Sequence, residues 1–123
     1  MPGVRIELIK GNHDILSKKF YEEAAIKTTE DQLLVDKFCF THNIELRCDS
    51  VRGNKNYTFS GHIHPGIRLN GIGKQSLYLP CFYFGKDYAV LPAFSQFTGL
   101  SRMENSGNDS IFAITGDEII QIN

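Results

Sequence analysis

Apolar and polar residues alternate along Val4–Lys10, VRIELIK. That two-residue period is the mark of a half-buried strand, and Gly11 ends it. Ser17 stands where a helix N-cap would stand, ahead of a short helix expected over Lys18–Ile26, with Phe20, Ala24 and Ala25 on one face. QLLVDKFCFTH, residues 32–42, reads as two short strands turning near Asp36-Lys37. Residues 43–56 are polar and irregular, with a turn signal at Gly53-Asn54. NYTFSGHIHPG is a strand running into a loop at Gly61. Turn signals at Asn70-Gly71 and Gly73 precede LYLPCFYF, a core strand, and Pro92 argues for a strand end in YAVLPAFSQFTG. SIFAITGDEIIQIN closes as a hairpin around Gly116-Asp117. At least six strands and one helix, without a visible linker, predict one α/β unit over residues 1–123, of the α+β sandwich kind.

The chain has 123 residues, 41% hydrophobic and 22% charged, which suits one core. Its apolar runs are too short to span a bilayer, and MPGVRIELIK lacks a signal-peptide core, so the expectation is a cytoplasmic protein without a membrane partner. Cys39, Cys48 and Cys81 are odd in number and never form CxxC, which argues against a disulfide framework and a four-thiolate zinc site. Cys39 and Cys81 sit among aromatic residues and read as small buried apolar groups. A net charge of −1 gives no global field for nucleic acid. Arg47, Arg52, Lys55, Arg68 and Lys74 nevertheless face only Asp49 in the same stretch. This local basic region either draws an anionic substrate or is a solvated loop face.

The four histidines, His13, His42, His62 and His64, each follow a strand-like stretch and open a loop. Loops at strand ends are where a rigid scaffold presents chemistry. In an extended segment His62 and His64 would face one side, with Ile63 turned into the core. Asn12 adds a neutral amide oxygen, whose bland reading is a turn residue; Asp14 adds a carboxylate that either orients His13 or complements a helix N-terminus.

GNHD after a strand, a His after FCFT, and then GHIHP resemble, in that order, the motifs of the metallophosphoesterases, the calcineurin-like phosphoesterases. SGHIHPGIRLNG, LYLPCFYF and AVLPAFSQFTG are similar to the branch of ligase-associated DNA damage response endonucleases and helicase-associated phosphoesterases. The resemblance implies the strand-rich C-terminal part of a four-layer αββα fold. It implies that Asn12, His42 and His62 bind one divalent ion and His64 the second, the ion being Mn, Fe or Zn. His13 would sit at the scissile phosphate and Asp14 would orient it. The implied activity is hydrolysis of a phosphate ester, as a phosphodiesterase or nuclease acting on DNA, by a metal-bound hydroxide. Association with a helicase or ligase follows from the same branch.

The family pattern also has Asp-x-His and Gly-Asp-x-x-Asp/Asn ahead of GNHD, and the residues before Gly11 contain neither. Those carboxylates bridge the two ions in the family. Without them two close dications repel strongly. The expectation is therefore at most one ion here, weak or no activity for the chain alone, and an exposed edge at Val4–Lys10 that favours self-association. The alternative reading is a non-catalytic metal-binding or partner-binding module, using an aromatic surface at Phe82, Tyr83 and Phe84.

Overall fold

The computed structural model describes residues 3–46, 56–95 and 98–122. The turn expected at Gly53-Asn54 and the cations Arg47, Arg52 and Lys55 lie outside them.

The first unit is strand β1 (Ile6–Ile9), helix α1 (Lys18–Glu23) and strand β2 (Ile26–Thr29), with β1 and β2 paired parallel. The helix is shorter than the sequence pattern suggests. Ala25 adopts a left-handed φ of 56°, and Ile26 starts a strand whose backbone pairs with Ile6. Of the three residues lost from the expected helix, Ala24 and Ala25 form the bend between the elements and Ile26 is taken into the sheet. Ser17 holds the N-cap position without a side-chain cap bond.

Strands β3 (Gln32–Val35) and β4 (Phe38–Thr41) form the expected hairpin, turning at Asp36, whose φ is 54°. Beyond a 3-10 turn at Ile44–Leu46 come β5 (Tyr57–Ser60), β6 (Pro65–Asn70), β7 (Ser76–Phe84), β8 (Tyr88–Val90), β9 (Ser101–Arg102), β10 (Ser110–Thr115) and β11 (Glu118–Gln121). Among the described residues β3 to β11 make one nine-stranded mixed sheet, in the order β11-β10-β7-β8-β5-β4-β3, with β6 paired to β7 off this path and β9 paired to β6. The architecture is strand-rich, with one short helix among the described residues. None of the described helices is long and apolar enough to cross a membrane.

Strand alternation decides the core. Cys81 and Tyr83 of β7 lie opposite Ala113 and Ile111 of β10, Val90 of β8 pairs with Tyr83, and Ile67 of β6 closes over them. Ile111, fully buried, contributes about 1.5–3 kcal/mol by leaving water. The other face carries a row of half-buried aromatics: Phe40 stacks on Phe59 with ring centroids 5.3 Å apart, and Phe84 meets Phe112 edge-on at 5.8 Å. Phe82, Tyr83 and Phe84 therefore do not form one aromatic surface, because Tyr83 points into the core between two residues that point away from it.

Cys39 and Cys81 are both fully buried, as their neighbours suggest. Cys81 is a free thiol, and burial pushes its pKa up to about 11. Cys39, by contrast, is disulfide-bonded, which corrects the expectation of reduced cysteines. Spacing along the chain does not tell which sulfurs the fold brings within bonding reach.

Asp109 is buried at the start of β10, where the Tyr83 hydroxyl and the Ser106 hydroxyl, 2.5 Å away for the latter, both donate to its Oδ2. The Ser106 bond first, and the Tyr83 bond next, hold its carboxyl below the usual Asp range. A depressed carboxyl pKa stabilises the fold fully above the unfolded value and loses that contribution as pH falls below about 4. Tyr83→Phe removes one donor and is expected to cost about 1–2 kcal/mol in urea unfolding at neutral pH. The gap between variant and parent narrows below about pH 4, where Asp109 protonates in both. A gap unchanged by acid would show that the Tyr83 hydroxyl does not support the ionised carboxyl.

Candidate metal centre

Parallel pairing of β4 with β5 puts Thr41 beside Ser60, so both strands leave the sheet at one edge. The next residues stay paired, because the Gly61 N–H donates to the His42 carbonyl at 3.1 Å. His42 and His62 emerge side by side as a consequence. The buried Thr41 hydroxyl, 2.9 Å from the Asp31 carbonyl oxygen and 3.2 Å from that of Asn43, ties this edge to the residues following β2. The end of β1 arrives at the same place.

There the turn Gly11–Asp14 folds on itself. The Gly11 N–H donates to Asp14 Oδ2 at 2.7 Å, and the Asp14 N–H donates to the Gly11 carbonyl at 3.2 Å. Asp14 thus closes the turn that carries Asn12 and His13 through the backbone. Asn12 reaches in both directions. Its Oδ1 lies 3.0 Å from His42 Nε2, and its Nδ2 lies 3.3 Å from His13 Nε2, which accepts from the amide. His42 Nε2 is also 3.1 Å from His62 Nδ1. The His42 and His62 rings meet edge-on, with centroids 4.9 Å apart.

The extended arrangement expected for His62-Ile63-His64 is not found. His62 and His64 both have left-handed φ, 64° and 55°, and the Ile63 N–H donates to the Gly61 carbonyl at 2.8 Å. The segment is a tight bend, so strand alternation does not orient its side chains. Such conformations cost non-glycine residues about 1–3 kcal/mol and persist where the surroundings enforce them. Ile63 still packs on the core cluster, as expected. His64 lies close enough for its charge to act on His42.

Burial is the largest cause that holds His42 below the usual histidine range. The charges of His62, His13 and His64 push the same way, and Asp14 opposes them. A neutral imidazole keeps its lone pair at neutral pH, which is what ligation requires.

Among the described residues no group of three or more His, Cys, Asp or Glu side chains is disposed to hold a metal. The convergent set here has an amide as its third member. Atoms bound to one ion at about 2.1 Å, with angles between octahedral and tetrahedral, lie about 3.0–3.4 Å apart. The observed separations of 3.0 and 3.1 Å match, and imidazole nitrogen with amide oxygen suits Mn, Fe or Zn. Two of the three donor separations are thus those that the ligands of one divalent ion would have, and in the absence of an ion they serve as hydrogen bonds.

The chain is similar in fold to nuclease MPE of Pseudomonas putida, with a TM-score of 0.71 and 23% identity. The likeness covers 96% of this chain and 53% of the nuclease, so the chain spans about half the length of that structure. No protein-family model matches the sequence, and no curated protein matches it.

Gly11 is the site residue that sequence reasoning passes over. A Cβ there would lie 2.6 Å from His42 Cε1 and 2.7 Å from Nδ1. The glycine makes room for the imidazole, a role invisible in a residue that reads only as the end of a strand.

Proposed function

We propose that the chain is part of a four-layer αββα metallophosphoesterase and hydrolyses phosphodiesters of nucleic acid with a divalent ion, Mn, Fe or Zn. The observation that carries this is the meeting of Asn12 Oδ1, His42 Nε2 and His62 Nδ1 at one sheet edge. The likeness to a solved nuclease supports the choice of nucleic acid.

Asn12, His42 and His62 would hold the ion, and His64 lies nearby outside the three. When bound, the ion supplies Lewis acidity to a phosphoryl oxygen and to the attacking water. His13, whose Nε2 accepts from the Asn12 amide, stands beside these ligands, where the N–H of its other ring nitrogen would donate to the phosphate. Asp14 positions both residues by closing their turn. The three donors are neutral, so they offset none of the ion's charge. This limits these residues to one ion and makes turnover weak until carboxylates of another segment or chain join them. Helicase or ligase association would be one source of such a chain.

Elemental analysis after manganese loading and release of nitrophenol from bis-p-nitrophenyl phosphate test the reading. Close to stoichiometric metal with metal-dependent turnover supports it. Stoichiometric metal without turnover points instead to the binding module, and a chain that takes up no metal ends the proposal.

A further inference from the structure

We infer that the β6–β9 surface carries a second phosphate-binding cleft, built on Arg68 and Arg102, that grips a polynucleotide strand at backbone phosphates beyond the histidine cluster. The inference rests on the nucleic-acid reading above for its substrate class.

Strand β6 leaves His64 directly, and the Ser101 N–H donates to the His64 carbonyl at 2.9 Å, so β9 starts beside the cluster as well. Parallel pairing of Gly66 with Arg102, and a 2.8 Å bond from the Met103 N–H to the Gly66 carbonyl, hold the 102–105 segment along β6. Between them lies a cleft of about 320 Å³ whose polar wall is Arg68, Asn70, Arg102, Glu104 and Asn105. Arg68 Nη2 donates to Ser76 Oγ at 3.1 Å, which braces the guanidinium and leaves its other N–H groups for a ligand. Among the described residues no carboxylate stands within ion-pair distance of either guanidinium; Glu104 lines the cleft without pairing with them, so the two arginines still leave it net cationic. Lys74, at the tip of the β6–β7 hairpin, adds a third cation on the same arm.

Guanidinium forks match phosphate oxygens, and the asparagine amides add neutral donors. Arg68 is three residues beyond Pro65, where β6 leaves the bend, roughly 10 Å along an extended strand. A polynucleotide spans that distance, whereas a single phosphate ester cannot touch both places. The repeated, evenly spaced phosphates of one strand are therefore the ligand that uses the cluster and the cleft together.

The test is binding of a fluorescein-labelled single-stranded oligonucleotide, read by anisotropy between about 50 and about 200 mM salt with chelator present. Two phosphate contacts on a single strand contribute about 1.4 to the steepness of log affinity against log salt. Arg68→Ala with Arg102→Ala is expected to flatten the slope by about that amount and to weaken binding roughly tenfold at the lowest salt. Arg68→Lys with Arg102→Lys keeps the slope, because the charges stay. An alanine pair with the parent slope overturns the inference. So does polyglutamate that displaces the oligonucleotide as well as unlabelled oligonucleotide does. Chelator silences hydrolysis, so the slope fails or holds independently of turnover.

Discussion

His62→Gly is expected to abolish stoichiometric metal binding and to cut metal-dependent phosphodiester hydrolysis by about a hundredfold or more. The ring nitrogen removed is the Nδ1 that stands 3.1 Å from His42 Nε2. Only Asn12 Oδ1 and His42 Nε2 then remain in contact, and two neutral donors are too few for a dication in competition with water. Glycine is the informative replacement. His62 has a φ of 64°, which any residue with a Cβ holds at a cost, while glycine adopts that angle freely. The ring is exposed and glycine relieves the left-handed strain while gaining freedom in the unfolded chain, so the urea midpoint should not fall markedly. Metal content and turnover measured on the same preparation decide the matter. Full metal content in the variant would show that the three donors do not act as one site.

Gly11→Ala should lower metal affinity about 10–100-fold while leaving the fold intact. The added methyl carbon would sit 2.6, 2.7 and 2.9 Å from three atoms of the His42 ring. No real carbon tolerates that approach, and the ring is the movable partner. It must swing away, which breaks the 3.0 Å contact with Asn12 and the 3.1 Å contact with His62 together. Titration of manganese into parent and variant, with far-UV circular dichroism as a check on folding, measures the effect. Equal affinities would mean that His42 binds metal from a different position than the one it occupies here.

These two variants differ in how they could have been foreseen. His62 stands in a Gly-His-Ile-His-Pro motif that announces itself in the sequence. Gly11 announces nothing, because its constraint comes from a residue thirty-one positions away that approaches through space. The same contrast runs through the fold. The β3–β4 hairpin, the β6–β7 and β10–β11 hairpins and the long strand through LYLPCFYF are local, and their turn residues and alternation mark them directly. The strand at Ile26–Thr29 was not foreseen: its first residue fell at the end of the expected helix, and its partner is β1, across that helix. Cys39 looked like any buried thiol until the fold supplied it with a second sulfur.

By itself the sequence determined which residues are capable of the chemistry: one amide, four imidazoles and a carboxylate, each placed at the end of an apolar run, because residue type and local period are properties of the chain. Only the tertiary structure decided that Asn12, His42 and His62 meet, with His62 and His64 bent out of strand geometry. The parallel β4–β5 register and the Gly61 to His42 bond join segments distant in sequence, and no local pattern encodes a contact of that kind.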